Sequence, residues 1–243
     1  RSEDGCPWDK AQTHQSIRRN MLEEAYEAAE GIDQDDADLL REELGDVLMQ
    51  VVFHAQIERE AGHFTFAEVC DGVCRKLLDR HPHIFRGDES IKDWDSLKNK
   101  EKGRLTLADD LESVPGALPA LMRAAKLQKR AARCGVETAA APADIAAAAE
   151  TAVSAADKAA AEQAVGELLF TAAALARQAG VDPEQAAHAA CEKFIRRFST
   201  METAAANDGT ALEQCTLAQM LTLWQQAKQT VSAEQESRKS ARQ

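Results

Sequence analysis

Apolar residues recur every three or four positions in two neighbouring stretches near the start of the chain, which is the spacing of one face of an α-helix. The first stretch carries Ile17, Met21, Ala25, Ala28 and Ile32, and the second carries Leu40, Leu44, Val47, Val51 and Ala55. Gly31 and Asp33 are expected to end the first helix. The acidic residues at 36–38 suit the start of the second, which continues to residues 61–62. We therefore predict two amphipathic helices that are joined by a short turn and pack along their apolar faces.

The helical pattern continues through the rest of the chain. A third helix is predicted from Phe66 to Arg80, and residues 139–164 are rich in alanine, which favours helix locally. Aromatic residues make up 5% of the chain, while alanine and leucine are common, and this composition favours helices over sheets. The sequence therefore predicts an all-α protein.

Features of the first half return in the second, where the stretch VGELLFTAAALARQAG from Val165 echoes LGDVLMQVVFHAQIERE. The pairs with matching spacing are Lys76–Arg80 with Lys193–Arg197, and Trp94–Lys98 with Trp224–Lys228. Residues 111–119 contain two prolines and a glycine and are the best candidate for a domain boundary. We predict two helical domains related by duplication, 1–112 and 113–231, and a disordered tail at 232–243 that lacks apolar periodicity.

Charge and composition narrow the class of protein. The formal net charge of -12 argues against a nucleic-acid partner, because no basic surplus is present to displace counterions from phosphates. No apolar run is long enough to cross a membrane, and no signal-peptide pattern is visible. Six irregularly spaced cysteines do not form a disulfide framework. We therefore expect a cytoplasmic protein that recruits cations.

Two pairs of carboxylates lie at the edges of the first two apolar stripes. Glu24 and Glu27 are three residues apart in the first helix, and Glu43 and Asp46 are three apart in the second, so each pair shares one helix face. When the helices pack, four acids converge beside the core, where charge repulsion and desolvation oppose ionisation. A divalent cation removes this cost, and carboxylate oxygens suit a hard ion such as Mg²⁺ or Mn²⁺. The alternative is a set of solvated surface acids, since Glu is common on helix surfaces.

Two further features leave alternatives open. Lys76 and Arg80 lie one turn apart near the end of the third helix, where they could interact with the helix dipole or reach phosphate oxygens. Trp8 could anchor the packing of the N-terminal segment or provide a platform for a nucleotide base.

Five motifs stand out when the chain is taken as a whole: CPWD followed by QTH, LEEAYE, REELGD, RHPHIF and KLQKRAA. Together they resemble the MazG family of nucleoside triphosphate pyrophosphohydrolases, over nearly the whole chain. The resemblance implies tandem four-helix-bundle-like MazG domains, a homodimer and bound Mg²⁺. It also implies hydrolysis of nucleoside triphosphates to monophosphate and pyrophosphate, in nucleotide-pool control or housecleaning.

The resemblance also assigns roles to residues. The family's EExxE and ExxD motifs stand here at residues 23–27 and 43–46. The implied metal ligands are Glu24, Glu27, Glu43 and Asp46. The implied nucleotide-binding residues are Lys76, Arg80 and Trp94, to which Trp8 is added as a candidate. A carboxylate, Glu23 or a metal-bound residue such as Glu24, would activate the attacking water.

The second half departs from the family pattern. Where EExxE is expected, only Glu150 remains, and in place of the second motif Ala164 replaces the first acid and Glu167 the last. We therefore expect catalysis in the first domain alone. Two alternatives stay open: a related all-α hydrolase with one special substrate, such as dUTP or phosphoribosyl-ATP, and a non-catalytic dimeric scaffold or regulator that binds nucleotide.

Overall fold

The computed structural model describes residues 1–85, 106–136 and 140–241, and the chain divides into two compact units, Arg1–Lys98 (unit 1) and Asn99–Gln243 (unit 2). All regular secondary structure in the described ranges is helical, which confirms the predicted all-α class. None of the described helices combines the length and the apolar content that crossing a bilayer requires. All six cysteines are free thiols.

Unit 1 is built around two packed helices. Its helices are α1 (Pro7–Ala11), α2 (Arg18–Asp33), α3 (Ala37–Ala61), α4 (Phe66–Arg80) and α5 (Pro82–Phe85). Helix α3 begins as predicted, because the Asp36 carboxylate accepts hydrogen bonds of 3.0 Å from the backbone N–H groups of Asp38 and Leu39. It ends at Gly62, whose φ of 77° is in the left-handed region. Helix α4 also has its predicted bounds and starts with a capping box of Thr65 and Glu68.

Gly31 was expected from the sequence to help end α2, but it does not. The helix continues to Asp33, and Gly31 is buried in its last turns, facing the start of α3. A Cβ atom added there would lie 2.9 Å from the backbone nitrogen of Leu40 and 3.0 Å from its Cα. Glycine is therefore required by the close approach of the two helices rather than by a helix end.

The predicted apolar stripes are buried only in part within unit 1. Ile17, Ala28 and Ala55 are buried, but Ile32 and Leu44 are 63% and 54% exposed. The expectation that both stripes face inward along their whole length is therefore wrong for a single chain. Helix α3 in addition exposes a row of large apolar side chains, named here the open face of α3: Leu44, Leu48, Met49 and Val52. Residues at this spacing share one helix face.

A chain of hydrogen bonds joins the segment before α2 to the second half of α3. The Nδ1 atoms of His14 and His54 are 2.7 Å apart, and His14 Nε2 lies 2.6 Å from Glu58 Oε1. His63 Nδ1 lies 2.6 Å from the other oxygen of Glu58. Hydrogen bonds from His63 and His14 lower the pKa of Glu58, whereas burial and then the charge of His14 lower the pKa of His54. This network holds the N-terminal segment on α3.

Unit 2 is also entirely helical in its described ranges. Its elements are α6 (Leu107–Glu112), α7 (Ala120–Arg133), α8 (Pro142–Val153), α9 (Lys158–Gln178), α10 (Pro183–Asn207), a 3-10 turn (Leu212–Gln214) and α11 (Leu217–Ala241). Helices α7 and α8 both pack against α9, and α10 packs against α11. A cluster of Met201, Ala205, Leu223 and Ala227 forms the contact between α10 and α11.

The predicted domain borders differ at two places from the units and helix ends that the structure shows. Helix α6, which the sequence analysis placed in the first domain, is tied to unit 2 because Arg130 of α7 pairs with Asp110 at 3.0 Å and with Ser113 Oγ at 2.6 Å. Helix α11 continues to Ala241, through most of the segment expected to be a disordered tail. Its last residues include Glu, Gln, Lys and Ala, which are good helix formers. That the two units arose by duplication stays a prediction.

Gly31→Ala is expected to lower the free energy of unfolding by about 1–3 kcal/mol, because the added methyl group meets the backbone of Leu40, which cannot rotate away. Gly72→Ala in α4 is the matched control. A Cβ at Gly72 has nothing within 4 Å, so this change should raise stability by up to about 1 kcal/mol. Urea unfolding followed by circular dichroism measures both. Equal stability of wild type and Gly31→Ala would contradict the close approach of α2 and α3.

Candidate functional site

Three carboxylates converge between α2 and α3. One side-chain oxygen of each of Glu24, Glu27 and Glu43 lies within 4.8 Å of the others. Asp46 follows Glu43 by about one turn of α3, and its charge acts on both Glu24 and Glu43. Spacing on two separate helices had predicted this group, and the packing of α2 on α3 brings it together.

The cluster is electrostatically unfavourable when all its members are ionised. Burial raises the pKa of Glu24, and a hydrogen bond with Glu27 and the charges of Asp46, Glu27 and Glu43 raise it further. Burial likewise raises the pKa of Glu43, followed by the charges of Glu27 and Asp46. Both shifts show that the folded chain opposes the negative charge that a cation would balance.

The donor set fits a hard divalent cation. It consists only of carboxylate oxygens, and three of the four side chains, those of Glu24, Glu43 and Asp46, are partly shielded from solvent. Such ligands suit Mg²⁺, Mn²⁺ or Ca²⁺ better than a soft metal. In the part of the chain that the structure describes, no other group of three acidic, histidine or cysteine side chains lies this close together. Glu24, Glu27, Glu43 and Asp46 are therefore the residues that could hold an ion.

Gln50 is a member of the site that the sequence analysis missed. It lies on α3 about one turn beyond Asp46, is only 7% exposed, and its Nε2 approaches Glu24 Oε1 at 3.5 Å, the long end of the hydrogen-bond range. Its Oε1 is buried without a partner. A polar residue within the apolar run VLMQVVF, at helical spacing from Glu43 and Asp46, was the signal that could have identified it. Through this contact, the buried amide of Gln50 restrains the orientation of the Glu24 carboxylate.

Glu23 lies outside the three-carboxylate group. Its Oε1 accepts a hydrogen bond of 2.7 Å from Arg19 Nε, one turn earlier on α2, and its side chain is 46% exposed. Neighbouring helix positions differ by about 100°, so Glu23 points to one side of Glu24, while Glu27, four residues on, lies on nearly the same face as Glu23. Its role as the base stays a prediction.

The candidate nucleotide-binding residues are only partly placed. Lys76 is exposed and Arg80 is half-buried near the end of α4, which packs against α3. Trp8 lies edge-on to Phe53 of α3 with ring centroids 6.5 Å apart, yet it remains 58% exposed. Trp8 therefore packs against the fold and keeps an accessible surface. Trp94 lies outside the described residues.

Unit 2 lacks a comparable acidic cluster in its described ranges. Ala164 is buried in α9, and both Glu150 and Glu167 are exposed. The cationic and aromatic residues noted in the sequence do come together: Arg197 Cζ lies 5.7 Å from the centre of the Trp224 ring. Lys228 Nζ lies 5.8 Å from the same ring centre.

Comparison with known proteins identifies the family. The model of the MazG nucleotide pyrophosphohydrolase domain matches residues 12–85, which include all four carboxylates. The chain is 39% identical to the nucleoside triphosphate pyrophosphohydrolase/pyrophosphatase MazG of Thermotoga maritima, over 94% of this chain and 91% of that protein. The chain belongs to the MazG family. The sequence resemblance to MazG is thereby confirmed.

Two further relatives have a similar sequence identity to this chain. The nucleoside triphosphate pyrophosphohydrolase of Escherichia coli K12 is 40% identical over 93% of this chain and 91% of that protein. The uncharacterized protein YabN of Bacillus subtilis is 40% identical over 95% of this chain but only 50% of that protein. Both units of the present chain therefore have counterparts in its relatives, although the family model matches unit 1 alone.

Mg²⁺ is expected to raise the melting temperature, because it relieves the repulsion among the carboxylates and binds only the folded cluster. In Gln50→Leu, the Mg²⁺ concentration for half of this effect should rise about tenfold, since Glu24 loses its restraint. Gln56→Leu removes an amide on the same helix that binds Glu60, outside the cluster, and should leave that concentration unchanged. Thermal denaturation at matched ionic strength measures it. No response of the wild type to Mg²⁺ would argue against a metal site.

Proposed function

We propose that this MazG chain hydrolyses nucleoside triphosphates to nucleoside monophosphate and pyrophosphate with the help of Mg²⁺, for which Mn²⁺ can substitute. The observation that carries the proposal is the convergence of the carboxylates Glu24, Glu27 and Glu43, with Asp46 beside them. The substrate class follows the relatives from Thermotoga maritima and Escherichia coli, which are named as nucleoside triphosphate pyrophosphohydrolases. A role in nucleotide-pool control, in the cytoplasm, fits this substrate class.

The chemistry divides between the ion and the chain. When bound, a divalent ion neutralises phosphate charge and lowers the pKa of a coordinated water. Glu24, Glu27, Glu43 and Asp46 hold it between α2 and α3. Gln50 keeps the Glu24 carboxylate oriented, so that its geometry does not depend on the ion alone.

Other residues bind the substrate and accept the proton. Lys76 and Arg80 contact phosphate oxygens, and both Trp8 and Trp94 contact the nucleoside. Glu23 or Glu24 accepts a proton from the attacking water. For Glu23 the accepting atom would be Oε2, because Oε1 already accepts a hydrogen bond from Arg19.

Attack on the α phosphorus should give nucleoside monophosphate and pyrophosphate as the first products. The test incubates each ribo- and deoxyribonucleoside triphosphate with the full chain and Mg²⁺, and identifies the products by ³¹P NMR at early times. Release of nucleoside diphosphate and orthophosphate as primary products would contradict the proposed bond. The same panel separates a broad activity from one confined to a single substrate.

Charge-removing variants test which unit carries the reaction. Glu24→Gln and Asp46→Asn each remove one negative charge from the cluster and should lower kcat by at least about a hundredfold, because both roles of the ion depend on its placement. Glu167→Gln makes the same chemical change at an exposed site in unit 2, where buried Ala164 replaces an acid. It should retain wild-type turnover. An active Asp46→Asn chain, or an inactive Glu167→Gln chain, would overturn the assignment to unit 1.

A non-catalytic nucleotide-binding scaffold is the second candidate. The observation that favours it is unit 2, where Arg197 lies against Trp224 but the acids are missing. Nucleotide binding without product formation in the presence of Mg²⁺ would support this candidate and refute hydrolysis.

We also propose that the chain forms a homodimer through the open face of α3. Leu48 and Met49 are 55% and 52% exposed, and a row of such residues is unfavourable in water unless covered. Leu48→Glu should shift the chain from dimer to monomer in sedimentation velocity experiments. Val153→Glu, at a position that is 89% exposed in unit 2, is the control and should remain dimeric. A monomeric wild type at micromolar concentration would contradict the proposal.

A further inference from the structure

The KLQKRAA motif of α7 contains two kinds of polar residue. Gln128 is 1% exposed and its Nε2 donates a hydrogen bond of 2.8 Å to the backbone oxygen of Phe170. Arg130 is held by α6 through Asp110. These two residues join α7 to its neighbours. Lys126 and Lys129 contribute nothing comparable to the packing, since both are exposed.

The two lysines line a cavity of about 770 Å³ that is formed by unit 2 alone. Arg133 follows them at helical spacing on the same face of α7, and Arg177 reaches the cavity from the end of α9. The remaining wall includes the apolar residues Met122, Val181 and Pro183. Four cationic side chains from two helices therefore line one open, shallow cavity.

The negative charges near this cavity are engaged elsewhere. Asp182 also lines the cavity, but its Oδ1 accepts hydrogen bonds of 2.9 and 3.0 Å from the first backbone N–H groups of α10. Glu184 Oε2 accepts a hydrogen bond of 3.2 Å from the backbone N–H of Met122. Within the described ranges, Lys126, Lys129 and Arg177 form no ion pair with a carboxylate. Positive charge thus accumulates here in a chain whose net charge is -12.

Arg177 provides a second, independent sign of a ligand. Its Nε is buried and has no hydrogen-bond partner in the described structure. The Arg177 side chain as a whole is only partly buried, but its unpartnered Nε costs free energy, and an oxyanion is the acceptor that its planar fork suits best. A solvated lysine face would account for Lys126 and Lys129, but it does not account for the buried nitrogen of Arg177.

We propose that this cavity binds a polyphosphate anion, either pyrophosphate or the phosphate tail of a nucleoside triphosphate. Cations on two helices can contact neighbouring phosphate groups at once, which a single orthophosphate cannot exploit to the same extent. The apolar wall offers a surface to a nucleoside, and the volume is within the range of small-molecule sites. Among the described residues, Asp182 is the only acid that lines the cavity, so the proposed site binds polyphosphate without a carboxylate cluster that could hold a metal for hydrolysis. This site goes beyond the proposed function and requires no metal.

The test measures binding to the full chain by isothermal titration calorimetry in EDTA, so that no divalent ion can draw phosphate to the acidic cluster. The probes are pyrophosphate, α,β-methylene ATP, AMP and orthophosphate. Pyrophosphate should bind with a dissociation constant of about 1 mM or tighter, and orthophosphate at least about tenfold more weakly. Tighter binding of the ATP analogue than of pyrophosphate would show that the nucleoside contributes to affinity. Equal affinities of the two compounds would show that the phosphate groups are sufficient.

Variants locate the site. Lys126→Gln/Lys129→Gln and, separately, Arg177→Gln should each weaken pyrophosphate binding by about tenfold or more, because each removes charge-assisted hydrogen bonds. Lys158→Gln removes one charge from the same unit at a position whose side chain is 91% exposed, and should change the affinity by less than about twofold. Far-ultraviolet circular dichroism confirms that the variants fold.

The proposal is overturned if pyrophosphate does not bind in EDTA, or if the Lys126→Gln/Lys129→Gln variant binds pyrophosphate as tightly as the wild type. It is also overturned if Lys158→Gln weakens pyrophosphate binding as much as the cavity variants do. None of these results depends on hydrolysis. An active enzyme with no metal-free pyrophosphate site, or an inactive chain that has one, would separate this inference from the proposed function.

Discussion

The close packing of α2 on α3 is the contact from which the chemistry of unit 1 follows. It depends on Gly31, where a side chain would meet the backbone of Leu40. Only at this separation do Glu24 and Glu27 of one helix come within 4.8 Å of Glu43 of the other. The same packing partly buries the carboxylates, and burial is the largest cause of the raised pKa values of Glu24 and Glu43. Part of the packing energy is thus opposed by charge repulsion, which a bound cation would relieve.

The helix pattern and the cluster were predictable because both depend on local spacing. Periodicity identified α3 and α4 with correct ends, since Asp36, Gly62 and Thr65 have well-defined roles at helix termini. Carboxylates three residues apart share a helix face, and both pairs lie at the edge of an apolar stripe, so packing of the stripes was expected to bring them together, as it does for Glu24, Glu27 and Glu43. Gly31, which was expected to end a helix, and Gln50, which was missed, both act across the interface between α2 and α3. Their roles depend on interatomic distances, and a one-dimensional pattern does not contain those distances.

The apolar pattern shows a different kind of limit. Periodicity indicates which residues avoid water, but it does not say whether the same chain or another covers them. Leu44 and Ile32 belong to regular stripes, yet a single chain leaves both more than half exposed. Ala28 and Ala55 of the same stripes are buried within the single chain. The stripe of α3 therefore serves two surfaces, and the proposed dimer accounts for the exposed Leu44.

The two units carry different groups that phosphate chemistry uses. Unit 1 has the carboxylates for an ion, whereas unit 2 has Ala164 at such a position and gathers Lys126, Lys129 and Arg177 around a cavity. Carboxylates attract phosphate only through a cation that bridges them, while ammonium and guanidinium groups bind it directly. While the cations of unit 2 provide the proposed means of binding, its described ranges lack the acids that metal-assisted hydrolysis requires. Their absence also removes negative charge that would weaken phosphate binding without a metal. A unit of this kind can respond to phosphate compounds without consuming them.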